Sequence, residues 1–433
     1  MRPGDGVGLS RFSAAEWAAS PLYRRRLDFG GSPEQRLAVA EIVRRVAVEG
    51  DAALAEYGRR FDGWAPAPGE TFAVPAGVWE AAAGRLPGNA VEALALAAAR
   101  IRAFHAAQAF SDIEGPDGLR LLVRPVLAAG LYVPGGRAAY PSTVLMTAIP
   151  ARVAGVRRVV LATPPAADGS VPDSILAAAA IAGVDQVYRV GGAQAIAALA
   201  HGTQSIPAVD VVAGPGNVYV MLAKREVFGA VGVDAIAGPT EIMVVADRSA
   251  RPDYVAADLA SQLEHDPMAW AVLVTDSAAL ADAVEEELTG LVERLDRAET
   301  VRAAHCCIVL AASIGEAMRI ANDFGPEHLE IVTGDPEAEL ALVENAGAVF
   351  LGGHAPVSLG DYVIGPNHTL PTAGSARFSS PLGVYSFLKR TSVAATGQAE
   401  LLRLAGAAKT LAGLEGLTAH ANAIEVRAGG ESG

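Results

Sequence analysis

The strongest constraint on this chain is a repeated change of hydrophobic period. From about residue 131 onward, short β-branched runs alternate with Ala-rich stretches whose apolar residues return every three or four positions. Residues 156–163 read as a strand, 174–182 as a helix, 186–190 as a strand, 193–200 as a helix and 209–213 as a strand. A strand followed by a crossover helix and a second strand brings the chain back in the same direction. This order therefore specifies a parallel sheet with helices on both faces. The alternation then starts again, with strand runs at 242–246, 271–275, 308–311, 330–333 and 348–351. Two sheets fit this pattern better than one. Ahead of them, residues 36–57 and 78–108 are rich in helix formers at helical spacing.

Composition narrows the function. At roughly 150 residues per domain, 433 residues suggest two or three domains. A chain that is 51% hydrophobic and 19% charged is not disordered. Thirty-four Lys and Arg against 48 Asp and Glu give a net charge of −14, which argues against a general nucleic-acid binder. The two cysteines, Cys306 and Cys307, are adjacent, so they form no disulfide framework and are expected as small buried residues of a strand. Residues 1–31 lack the apolar core of a secretory signal, and no run approaches 18 apolar residues. A soluble, cytoplasmic protein is expected.

Loops dense in Gly and Pro fall between these elements, several where a strand ends, which is where open α/β sheets bind ligands. The dinucleotide fingerprint is absent, because Gly214 and Gly216 are followed at the third position by Tyr219. What remains is backbone able to approach a phosphate closely at Gly135-Gly136, Gly191-Gly192 and Gly214 to Asn217; each also reads as a plain tight turn. In Ser261-Gln262-Leu263-Glu264-His265, Gln262 and His265 are three apart and share a helix face. They suit either one metal ion or a solvated helix end. The turn Gly325-Pro326 presents Glu327 and His328 at the start of an apolar strand, as two proton carriers or as a hydrogen-bonded loop pair. Asp361 and Glu415 fall in the same C-terminal stretch as a set of possible histidine ligands, His265, His328, His354, His368 and His420, whose convergence spacing does not reveal.

Taken in order, these segments resemble the histidinol dehydrogenase family. The resemblance rests on Gly130 through Gly136, Gly191 through Ile196, Gly214 through Asn217 and Ala237 through Glu241, then Ser261 through His265, Gly325 through Glu330, and Gly365 through Thr372 with Ala376 through Ser380. It runs from about residue 20 to residue 427. It implies an enzyme with one zinc per subunit and two NAD per turnover, oxidising L-histidinol through L-histidinal to L-histidine, the last step of histidine biosynthesis. By the same resemblance, Gln262, His265, Asp361 and His420 are expected as zinc ligands, Glu327 and His328 as the proton-transfer pair, and Tyr132, Gln194 and Asn217 as NAD contacts. Thr240, Gln262, His265, His328, Asp361, His368, Glu415 and His420 are expected to face the substrate. The family commonly has Ser at the position of Thr240, so the hydroxyl is kept and a methyl is added.

The resemblance also implies two related, incomplete Rossmann-like domains. Residues 24–131 with 239–383 are expected to form the first, and 132–238 a second inserted into it. Residues 1–23 would be an N-terminal arm. Residues 384–433 would be a dimerisation tail, placing Glu415 and His420 in a partner's active site within a homodimer. A dehydrogenase of another small polar alcohol, such as a sulfonated diol, is the nearest alternative on this scaffold. Glu415 and His368 discriminate, since a carboxylate disfavours an anionic substrate. A zinc hydrolase using Glu327 as base and a non-catalytic nucleotide-binding scaffold are the more distant readings.

Overall fold

The computed structural model describes residues 8–20, 23, 30–135 and 138–429. Gly136 of the Gly135-Gly136 loop lies outside the described residues, as does much of the expected 1–23 arm. The chain divides into two compact units, Met1–Ala109 with Val126–Phe387, and Phe110–Pro125 with Leu388–Gly433.

The first unit contains two parallel sheets. The five-stranded one is ordered Gln186–Arg189, Arg158–Thr163, Ala128–Tyr132, Val211–Ala213, Gly232–Val233. The six-stranded one is ordered Leu9–Ser13, His305–Leu310, Trp270–Thr275, Glu241–Ala246, His328–Val332, Ala348–Leu351. Both are covered on both faces, which is why strands such as Glu241–Ala246 are buried throughout and show no polar alternation. In the first sheet, Leu131, Val159, Leu161 and Val187 face one core, while Ala128, Val160, Ala162 and Val212 face the other. In the second, Leu329 and Ile331 point into one core and Val332 into its opposite. Cys306 and Cys307 are buried and free in strand His305–Leu310.

The helical N-terminal stretches break where backbone chemistry requires. The run expected at 36–57 divides into Pro33–Glu49 and Asp51–Tyr57 at Gly50, whose φ is 59°. A Cβ there would also collide with the Gln204 side chain, so only glycine fits. The run at 78–108 becomes Ala76–Glu80, a 3₁₀ turn at Ala82–Arg85, and Gly88–Ala106 after Pro87, which cannot donate a helical hydrogen bond. The helices within the expected 24–131 segment pack on the five-stranded sheet: Val39, Val43, Val46 and Leu54 join Val160 and Val212, and Ile101 joins Leu131 and Leu161. Val74 N–H donates to Val187 O at 2.8 Å on that sheet's edge. Leu9–Ser13, inside the expected arm, is an edge strand of the other sheet.

In the second unit, Leu388–Ala394 pairs antiparallel with Leu119–Pro125, which pairs with Ile113–Glu114. Helices Gln398–Leu414 and Thr418–Ala428 follow. Leu402, Leu404, Leu411, Leu414 and Leu417 are all exposed there, Leu414 by 81%. No helix among the described residues is long and apolar enough to cross a membrane.

Candidate active site

The order of the six-stranded sheet reverses between Glu241–Ala246 and His328–Val332: later strands add outward from one, then from the other. Ligands bind at such switch points, ordinarily at the carboxyl ends of the strands. Here the polar cluster collects at the amino ends, where Thr240 and Glu241 open one strand and Glu327 and His328 the other. Glu327 Oε2 accepts from Thr240 Oγ1 at 2.6 Å and from the Glu241 N–H at 2.9 Å. Burial pushes its carboxyl up to about 8; those two donors pull it down and the Asp361 charge raises it further.

His328 is adjacent in sequence but is not hydrogen-bonded to Glu327, since Nδ1 lies 3.8 Å from Oε2. Its Nδ1 faces the Glu241 carbonyl at 3.1 Å. A carbonyl only accepts, so Nδ1 carries the hydrogen and Nε2 presents a lone pair. Burial lowers the imidazole's pKa, with the Asp361 charge opposing, which favours the neutral ring. Nε2 lies 4.0 Å from Asp361 Oδ1. A cleft lined by His328, Phe350, Asp361, Asn367 and His368 opens beside it.

The metal candidates surround this pair. Thr240 donates its hydrogen to Glu327, so its oxygen must accept from Gln262 Nε2. That contact fixes the amide's orientation and leaves Oε1 as the atom able to coordinate a cation. Gln262 is buried near the end of helix Pro252–Leu263, and His265 follows the helix and is exposed. Asp361 is half-buried in helix Val357–Tyr362. His368 Nδ1 donates to the Asp361 carbonyl at 2.8 Å, and its Nε2 accepts from Thr143 Oγ1 at 3.2 Å. His368 is lowered chiefly by burial and feels the charges of Asp361, His328 and His265, which places all four in one neighbourhood. Among the described residues no group of three His, Cys, Asp or Glu is arranged to hold a metal. The available donors here are one amide oxygen, one imidazole and one carboxylate; the last two are ordinary zinc ligands, the amide is an unusual one, and a four-coordinate site would take one further ligand.

The expected NAD contacts sit on the other sheet, at the carboxyl ends of its strands and at its own switch point. Tyr132 is buried, its hydroxyl accepts from the Gly192 N–H at 3.1 Å, and burial pushes it up to about 12. Gln194 is buried in the first turn of helix Gly192–His201. Asn217 caps helix Val218–Val227, accepting from the Tyr219 and Val220 N–H groups at 3.0 and 3.2 Å. Gly214 has φ 119°, and a Cβ there would collide with the Tyr132 carbonyl, so the loop can lie tightly against this strand only with glycine. Glu415 and His420 belong to the second unit: Glu415 caps helix Gln398–Leu414, His420 lies on the following helix, and both are exposed.

Other participants had no local sequence signal, because each comes from a distant segment. Thr143 meets His368 across 225 positions. Asp62 takes a hydrogen bond from the Gly191 backbone, and burial raises its carboxyl. Lys224, buried, pairs with Asp234 and donates to the Gly214 carbonyl at 2.8 Å, while Asp234 accepts from the Gly214 N–H at 2.8 Å. This ion pair holds the Gly214 loop from both sides. Lys224→Met strands the Asp234 charge, and a loss of about 3–5 kcal/mol is expected in urea unfolding.

Glycine-bearing loops at the carboxyl ends of one parallel sheet, and a buried carboxyl–imidazole pair beside metal-type donors on another, mark the chain as an α/β enzyme. A histidinol dehydrogenase family model matches residues 30–428. The chain is 49% identical over 397 residues to histidinol dehydrogenase of Synechococcus sp., covering 90% of this chain and 91% of that one. It is 48% identical over 410 residues to that of Thermosynechococcus vestitus, covering 93% and 95%. The crystal structure of histidinol dehydrogenase from Elizabethkingia anophelis superposes with a TM-score of 0.90 at 31% identity, covering 98% of this chain and 99% of that one. The protein belongs to the histidinol dehydrogenase family.

Proposed function

We propose that this protein oxidises L-histidinol through L-histidinal to L-histidine, the last step of histidine biosynthesis, with two NAD per turnover. The observation that carries the mechanism is the separation of Glu327 and His328 into two proton carriers with different partners. Gln262, His265 and Asp361, with His420 as the fourth, would hold one zinc per subunit; one carboxylate and three neutral donors leave a net charge of about +1. When bound, zinc would anchor the amine and imidazole of the substrate, and NAD would take up the hydride.

In the alcohol step, His328 Nε2 accepts the hydroxyl proton as the carbon gives up hydride. In the aldehyde step, Glu327 as carboxylate takes a proton from the water that adds to the carbonyl, giving the hydrate anion, which yields the carboxylic acid as its carbon gives up the second hydride. Thr240 acts as a bridge: its hydroxyl joins Gln262 to Glu327, so an orientation change at the metal side is felt at the base. Tyr132, Gln194 and Asn217 are proposed to line the NAD side, and His368 and Glu415 the substrate side. A carboxylate at Glu415 favours the cationic end of histidinol and opposes an anionic diol.

Pure protein with limiting L-histidinol and excess NAD is expected to yield two NADH per histidinol. One NADH, or none with zinc bound, would overturn the four-electron reading.

We further propose a cytoplasmic homodimer in which residues 384–433 of one subunit bring Glu415 and His420 to its partner. The exposed leucines of helix Gln398–Leu414, Leu414 above all at 81%, support this as surface that a partner subunit would cover. The two sheets would serve as the two Rossmann-like halves, with the helices of 33–106 belonging to the 132–238 half. Mixing inactive His420→Ala and His328→Ala proteins is expected to restore activity, toward a quarter of wild type if subunits exchange at random. No recovery after demonstrated exchange would refute shared sites.

A further inference from the structure

One buried carboxyl has no part in the chemistry above. Glu330 lies two residues after His328 on strand His328–Val332, hence on the same face, and is 2% exposed. Its Oε1 accepts from the Val357 N–H at 2.9 Å. Its Oε2 is buried and meets no donor among the described residues. What lies within hydrogen-bond reach is another carboxyl, Asp258 of helix Pro252–Leu263. Two carboxylates so placed do not both ionise; one proton between them supplies the missing donor and leaves a single charge. Burial raises both carboxyls, Asp258 to about 6 and Glu330 well above the usual carboxylate range, so the pair holds one proton between its two members.

The position of this pair gives it a purpose. Asp258 precedes Gln262 by four residues, one helical turn on the same face. Val357 precedes Asp361 by four residues in helix Val357–Tyr362, whose N-cap, Pro356, offers no side-chain hydrogen bond. Glu330 supplies the missing cap from across the core. The same short helix is seated against the sheet at Gly360, where a Cβ would meet the Phe350 ring at 2.5 Å, and Phe350 is the cross-strand partner of Glu330. A single side chain, through its contacts with Val357 and Asp258, thus ties the strand carrying His328 to both helix turns that lead to metal-type donors.

We propose that Glu330 and Asp258, joined by one proton, are positioning residues that set the spacing between the turns bearing Gln262 and Asp361. This inference rests on the zinc site proposed above. Outer contacts that orient ligands typically change metal affinity about 10–100-fold. Glu330→Gln keeps an acceptor for Val357 and a donor for Asp258, whereas Glu330→Leu removes both.

The test is zinc affinity by chelator competition on the full-length protein, with thermal unfolding of the metal-free forms and the infrared carboxylic-acid band. Glu330→Gln is expected to bind zinc within about threefold of wild type and to lose one protonated-carboxyl band. Glu330→Leu is expected to bind about 10–100-fold more weakly. A Leu variant that melts earlier yet binds zinc as wild type does would show packing alone and overturn the proposal. So would a Gln variant as weak as the Leu variant, or a spectrum with no band lost. Wild-type protein that takes up no zinc would overturn the metal site itself, a result distinct from weakening confined to the Leu variant.

Discussion

Glu327→Gln is expected to slow oxidation of L-histidinal by about 10²–10⁴-fold, the range supplied by a positioned general base, while slowing the alcohol step far less. The amide oxygen can still accept from Thr240 and the Glu241 N–H, so both hydrogen bonds survive and the local fold is kept. What disappears is the group that removes a proton from water. In the proposed mechanism histidinol oxidation draws on His328 Nε2; the tautomer of that ring is set by the Glu241 carbonyl and not by Glu327. Single-turnover rates started from histidinol and from histidinal separate the two steps; equal losses in both would contradict the division of labour.

The pH dependence gives the same prediction a second reading. In the metal-free protein the Glu327 carboxyl is pushed up to about 8, mainly by burial. Its folded pKa thus exceeds the unfolded value, so its contribution to stability is fully present below the unfolded pKa and is lost as pH rises through about 8. The metal-free wild type is therefore expected to lose stability between pH 5 and 9, and Glu327→Gln to lose less. Urea midpoints across that range check the sign.

His265→Ala is expected to abolish zinc loading and turnover together. His265 stands just beyond the helix that buries Gln262 and is itself exposed, so little packing is lost and stability should change by no more than about 0.5 kcal/mol. The effect falls on the metal. Removing a direct ligand should weaken binding beyond the roughly 10–100-fold that outer contacts cost. Metal analysis of purified variant protein, with circular dichroism to confirm folding, measures both. Full activity in a folded, metal-free variant would refute the anchoring role.

Much of the architecture was legible because its elements are local. Strands at 348–351 and 186–189 fall within a residue of where β-branched runs place them, and the helix around Ser174 was readable from its alanines. The paired sheets followed from the alternation alone. Strand Leu9–Ser13 was not readable, because its pairing comes from His305–Leu310 almost 300 residues away. The same holds for Leu119–Pro125, whose partner is Leu388–Ala394. Leu9–Ser13 is too short and mixed to stand out alone, and Leu119–Pro125, though rich in Leu, follows a long helical stretch and gives no sign of its distant partner.

The site divides along the same line. Residue order alone put Glu327 beside His328 and His265 within one backbone turn of Gln262, although the helix stops at Leu263 and does not carry both on one face. Only the tertiary structure decided that Thr240 bridges Gln262 to Glu327, that the Glu241 carbonyl sets the His328 tautomer, and that the cluster forms at the amino ends of its strands. Those contacts span from 22 to 87 positions. Sequence spacing specifies geometry only over a helical turn or a hairpin; beyond that, packing of the two sheets determines which polar groups meet and which of them stay charged.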